Sequence, residues 1–402
     1  MTVNMMEDES LTVTELNANT NVDDLISDQY LAAELDEVIR LQNYAKTHKF
    51  KGEIVWRNVA IFFALHVGAL IGLYQLLFIA RWPTVFWTIA CYLCSGLGIT
   101  CGAHRLWAHR CFKARMPMKL ILLFGNTMAF QNHVIEWSRD HRCHHKWTDT
   151  DADPHNTNRG FFFSHMGWLL TRKHPKIKEM GAKLDLSDLS NDPLLAFQKR
   201  HYLLLVLLCC FLIPTVIPVY FWKENALIAL YTAGLFRYCA VLHATWFINS
   251  IAHMFGYRPY DVNITPTESV WTSVTALGEG GHNYHHTFPQ DYRASEMPYV
   301  FNFTRVFIDT CARVGLAYDL QTVSKESVQR QKRQTSAIAQ TEIIPPIRIN
   351  SLRTSVSQPF AHAFALKVDI FDDKKQIEFR KKENRTLKRH RRERLQKQNS
   401  EI

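Results

Sequence analysis

Apolar positions gather into four long runs, and the polar positions separate them unevenly. The runs span residues 54–80 (IVWRNVAIFFALHVGALIGLYQLLFIA), 84–103, 202–222 and 226–248. Each is close to the roughly 20 residues that cross a bilayer core as a helix. Four such runs with few charges seldom serve as core helices of a soluble protein. Only RWP joins the first run to the second, and only KEN joins the third to the fourth. Two tight helical hairpins are therefore predicted. They place the amino terminus, the polar stretch of about a hundred residues between the hairpins and the carboxy terminus on one side of the membrane.

Charge gives that side an identity. Lysines and arginines lie before Trp56, throughout 105–200 and after 290, which marks the side as cytosolic. Residues 1–37 hold ten acids and no Lys or Arg, so no cleavable signal peptide is expected there. The first run is expected to act as an uncleaved anchor to the endoplasmic reticulum, giving a multi-pass protein with both termini cytosolic. The domain plan is an acidic, largely disordered tail over 1–50 with a pre-membrane helix within 29–50. A four-span body follows over 51–320, then a basic, disordered tail over 321–402. Within that tail 379–397 carries ten Lys/Arg against two Glu. This suits a solvated segment or contact with anionic lipid. It does not argue for nucleic acid in a chain held by four spans. Six of the nine cysteines (Cys91, Cys94, Cys101, Cys209, Cys210, Cys239) fall in apolar runs, where Cys acts as a small hydrophobe, and no disulfide is expected.

The candidate chemistry lies in the polar stretches. HRLWAH (104–109), HRCHH (141–145) and HNYHH (282–286) hold eight of nineteen histidines. His141, His144 and His145 stand at i, i+3 and i+4, as do His282, His285 and His286, so each trio shares one helix face. Asn249 and His253 stand one turn apart at the end of the fourth run, and His104 and His109 just past the second. All can meet at one level on the cytosolic side. Nine histidines and one Asn exceed the needs of one ion and suit two ions with four or five nitrogens each. Imidazole suits iron, zinc or copper, and the lack of clustered Cys argues against an iron–sulfur site. Asp140, Asp149, Asp151, Asp153 and Glu279 are candidates to accept the outer ring N–H groups. Of these metals, iron beside an apolar body points to oxygen chemistry on an unactivated C–H bond, a task for a cofactor.

The segments GAHRLWAHR, EWSRDHRCHHKWTDTDADPHN, RGFFFSHMGWLL, TWFINSIAHMFG and GEGGHNYHHTFPQDYR resemble the membrane-bound acyl-CoA desaturases. The type is the animal stearoyl-CoA (Δ9) one, as in an insect-like member. The resemblance covers about 51–318. It implies an all-α membrane protein of four transmembrane helices, with a cytosolic helical cap holding a dimetal histidine site. Matching motifs carry metal ligation to His104, His109, His141, His144, His145, His253, His282, His285 and His286, with Asn249 acting through a water. They imply two iron ions (Fe2+/Fe3+), and a tunnel for a long-chain fatty acyl-CoA lined by Gln131, Trp137, Thr245 and Trp246. The coenzyme A head falls to Asn58, Asn132, Arg139, Asp140, Arg172 and Lys173, where basic groups suit phosphate. The far tunnel end falls to Tyr92 and Gly96, and glycine there implies room for eighteen carbons or more.

The implied activity, in fatty acid biosynthesis, is O2-dependent insertion of a cis double bond. One hydrogen leaves each of two adjacent methylenes held by the tunnel bend. No HPGG haem motif is present, so electrons are expected from separate cytochrome b5 and its reductase. A diiron hydroxylase would share the histidines, but DADPHN and GEGGHNYHH favour desaturation, and the intact ligand set argues against a catalytically silent family member. A metal transporter would instead string its ligands along a path inside the spans.

Overall fold

The computed structural model describes residues 35–47 and 50–341. The expectations for residues 1–34 and for the basic run 379–397 lie outside these residues. Four helices have the length and apolar composition to cross a membrane: α2 (Trp56–Phe78), α3 (Trp82–Ala108), α6 (Tyr202–Trp222) and α7 (Ala226–Met254). Between them run α4 (Met116–Ala129) and α5 (Val134–Lys146), and α1 (Leu35–Thr47) precedes them all. After them come α8 (His282–Thr287), α9 (Phe303–Arg313) and α10 (Lys325–Thr341). Strands β1 (Lys113–Ala114) and β2 (Ala317–Tyr318) pair antiparallel and clip the two ends of the cap together.

The spanning helices keep apolar side chains outward. Ile61, Phe63, Leu70 and Leu77 on α2 are exposed while Leu65 and Ala69 are buried. Such an outward face is stable only against lipid. Inside, α3 and α4 touch backbone to backbone. A Cβ on Gly98 would stand 2.0 Å from the Asn126 nitrogen, so only glycine fits that crossing. Arg237 is fully buried in α7. It donates to the carbonyls of Cys210 (2.6 Å), Met128 (2.8 Å) and Ala233 (3.1 Å), which offset the loss of water.

Two features extend past the sequence expectations. Helices α3 and α7 run on to Ala108 and Met254, beyond the apolar ends near 103 and 248. Hydropathy marks where a helix leaves lipid, and His, Arg and Asn do not break a helix. The packed body also runs past 320. Helix α10 buries Val328 against Tyr260, Tyr284 and Phe288, and Gln331 donates to the Tyr260 carbonyl at 3.0 Å. Among the described residues the packing thus reaches 341, past the boundary expected at 320. Composition misled there because a single buried apolar side chain, Val328, and polar contacts from Gln331, Lys332 and Thr335 hold α10 in place.

Candidate metal centre

Helix geometry sorts the histidines into two sets. His104, His109, His141, His145 and His285 form one, and His144, His253, His282 and His286 the other, with the ligating atoms of each set within 4.8 Å of one another. Positions i and i+4 of a helix stay together and i+3 goes to the other side. On α5, His141 and His145 join the first set and His144 the second. On α8, His282 and His286 join the second set and His285 the first. The pair in HRLWAH, five apart, would diverge on an α-helix. Here α3 widens to π-helical geometry over Gly98–Ala108, and the His109 amide donates to the His104 carbonyl at 3.0 Å. That i+5 closure brings the two rings to 4.8 Å, a use of π-turns recurrent at functional sites.

The residues fit metal ions. Glu279 faces His104 Nδ1 at 3.0 Å and Asp153 faces His144 Nδ1 at 2.9 Å. Asp149 lies 3.6 Å from His253 Nδ1. A carboxylate holds the proton on Nδ1 and leaves Nε2 as a bare lone pair. Within the two sets, Nε2 atoms point at one another: 2.9 Å for His104–His285, 2.8 Å for His109–His141 and 3.0 Å for His253–His282. Two nitrogens bound to one ion at about 2.1 Å and at right angles would stand about 3 Å apart. The spacing is that of ligands around a cation.

Electrostatics point the same way. Burial, then the crowding of neighbouring rings, holds His109, His141, His145, His282, His285 and His286 well below the ordinary imidazole range. They stay neutral, as ligands must. Burial lowers His144 too, but Asp153 outweighs it and the net shift is upward. Burial opposes ionisation of Asp149, yet bonds from His253, Thr157 and Thr265 hold its carboxyl well below the usual range.

Three of the five expected carboxylates sit against ligand rings, and two do not. Asp140 pairs instead with Arg139 (2.8 Å) and Lys173. It precedes His141 by one residue, and a 100° step on the helix turns it away from both sets. Asp151 lies 3.8 Å from His174, a ring in neither set.

A cavity of about 670 Å³ leads to the centre. Asn58, Gln131, Asn132, Trp137, Asp140, Thr245 and Trp246 are on its wall, as are Asn249 and His141. Gln131 donates to Thr245 Oγ1 at 3.0 Å across the wall. A smaller cavity of about 50 Å³ shares Trp137, His141, Thr245 and Asn249 with it and adds His104 and His282. A third, about 20 Å³, shares Ile99, Thr100, Thr245 and Ala276 with the second and meets Tyr92, Gly96 and Leu277. Arg139, Arg172 and Lys173 are not on these walls. Arg139 is half-buried and Lys173 exposed, both paired with Asp140, and Arg172 is exposed and paired with Glu53 at 2.8 Å. Among the wall residues that sequence reasoning missed are His155 and Leu277. His155 lines the large cavity and lies 5.5 Å from the His144 ring, and its place in DADPHN was the available signal. Leu277 has no local signal.

The fold and site define a multi-pass membrane protein with a two-part histidine centre opening onto an apolar cavity. The chain belongs to the fatty acid desaturase family: the model of that name, Fatty acid desaturase, matches residues 80–319. It is 64% identical over 303 residues to the Delta(9)-fatty-acid desaturase fat-6 of Caenorhabditis elegans, covering 75% of this chain and 89% of the relative. It is 54% identical over 287 residues to the acyl-CoA Delta-9 desaturase of Acheta domesticus, covering 71% and 80%. To the stearoyl-CoA desaturase of Homo sapiens it is 51% identical over 312 residues, covering 76% and 87%.

Proposed function

We propose that the chain is a Δ9 acyl-CoA desaturase of the endoplasmic reticulum membrane, with both termini and the cap in the cytosol. The observation that supports the reading is the succession of three adjoining cavities: a large one with Asn58, Asn132 and Asp140 among its lining residues, a smaller one that meets His104, His141 and His282, and the smallest at Tyr92 and Gly96. That order suits a substrate with a polar head and a long apolar tail, cut into by chemistry part-way along.

The two histidine sets would hold two irons, with Asn249 beside them through a water. Iron bound there supplies the O2-dependent removal of two hydrogens. Overall, acyl chain, O2, two electrons and two protons give the cis-alkene and two waters. The chain's residues do the positioning. Arg139 and Lys173, oriented by Asp140, and Arg172 supply positive charge for the coenzyme A phosphates. Trp137, Thr245 and Trp246 hold the tail and exclude water, and the Gln131–Thr245 bond ties the wall together beside it. Position of the double bond is then set by the distance from head to metal centre. Electrons come from cytochrome b5 and its reductase.

The test is His144→Ala in full-length protein expressed in a desaturase-deficient yeast. The expected result is insertion at the wild-type level with desaturation lost by at least a hundredfold. Wild-type levels of monounsaturated product would overturn the reading.

A further inference from the structure

Three histidines outside both sets form a file through the membrane-spanning body: His66 on α2, His243 on α7, and His165 in the turn Phe163–Gly167. Their proton positions follow from their partners. His66 Nδ1 lies 2.6 Å from the Phe62 carbonyl. A carbonyl only accepts, so Nδ1 carries the proton and His66 Nε2 is a bare lone pair. It faces His243 Nε2 at 3.0 Å. From the other end, the Ser250 hydroxyl donates its one proton to the Trp246 carbonyl at 2.8 Å. Its oxygen then accepts from His165 Nδ1 at 3.0 Å. His165 Nε2 is therefore bare and accepts from His243 Nδ1 at 3.0 Å. His243 Nε2 is left bare as well.

Two lone pairs thus face each other at 3.0 Å within the spanning helices. Cys239 stands one turn before His243 on α7 and is buried, and its sulfur and one ring nitrogen from each of His66 and His243 lie within 4.8 Å of one another. We propose that His66 Nε2, His243 Nε2 and Cys239 Sγ form a third metal site, separate from the dimetal centre, for a single Cu(I) ion.

Charge and softness select the ion. A thiolate with two imidazoles suits copper or zinc. In an apolar surrounding a net charge is costly. Cu(I) with one thiolate is neutral, whereas a divalent ion would leave one positive charge uncompensated. Binding releases the thiol proton to solvent and forms one Cu–S bond, so charge is conserved and no electron moves. The dimetal centre contains no thiol, which makes sulfur the distinguishing mark of this site.

The experiment uses iron-loaded, full-length protein in nanodiscs, titrated with Cu(I) against a chromophoric Cu(I) chelator. Wild type is expected to take up one Cu(I) per chain more than Cys239→Ser and one more than His243→Asn. The copper absorption edge of wild type should show a sulfur neighbour that Cys239→Ser lacks. Copper entering the nine-histidine centre would add equally to all three proteins and bring no sulfur. Equal uptake by wild type and Cys239→Ser, or a wild-type copper shell without sulfur, would overturn the proposal. The Cys239→Ser comparison decides the matter alone if His243→Asn does not fold.

Discussion

Replacing Gly96 by isoleucine should shorten the acyl chain that the protein prefers. A Cβ on residue 96 would stand 2.5 Å from Leu277 Cδ1, and carbon atoms in contact need about 3.5–4.0 Å. Gly96 therefore does not open free room at the far end. It admits Leu277, which reaches in from the loop before the HNYHH box. An isoleucine must push Leu277 by about 1 Å or more, and the far-end cavity they share holds only about 20 Å³. The last methylenes of a long tail lose their place. Eighteen- and sixteen-carbon chains differ by two methylenes, each about 0.8 kcal/mol when buried. The full effect is about 1.6 kcal/mol, or roughly 15-fold in the ratio of kcat/KM values. The assay supplies matched stearoyl- and palmitoyl-CoA to both proteins in microsomes and quantifies the monounsaturated products. Leu277→Ala should move the ratio the opposite way. A ratio within about twofold of wild type, in a folded Gly96→Ile protein, would refute the assignment of this end as the tail's stop.

Three further outcomes are expected. Asp153→Asn removes the carboxylate that orients His144 (2.9 Å) and should weaken metal retention in the four-histidine set about 10- to 100-fold. Competition with a chelator measures it, and unchanged retention would remove Asp153 from that role. Burial raises the Glu268 carboxyl from 4.5 to about 7, so its protonated form suits the fold. That contribution is full below about pH 4.5 and is lost as pH rises through about 7. Glu268→Gln should therefore raise Tm more at pH 8 than at pH 5, and equal shifts at both would contradict the burial argument. Finally, purified protein given NADH and acyl-CoA alone should form no product until cytochrome b5 and its reductase are added. Turnover without them would point to another electron donor.

Local periodicity carried much of this protein in its sequence. Four apolar runs announce four spanning helices because a bilayer of fixed thickness demands about 20 apolar residues in succession. The HxxHH spacing announces ligand faces because residues three and four apart meet on any α-helix. Both rules act between near neighbours, so both can be read without the fold. What escaped reading depends on backbone departures from the regular helix or on residues far apart in the chain. The i+5 meeting of His104 and His109 needs a π-turn. The choice of Asp149, Asp153 and Glu279 over Asp140 and Asp151 depends on which way each carboxylate faces after folding. Leu277 meets Gly96, Val328 meets Tyr284, and His66 meets His243 across 177 positions. Such contacts are decided by the packing of whole helices, whose free energy is summed over many side chains at once and leaves no signature at either residue alone.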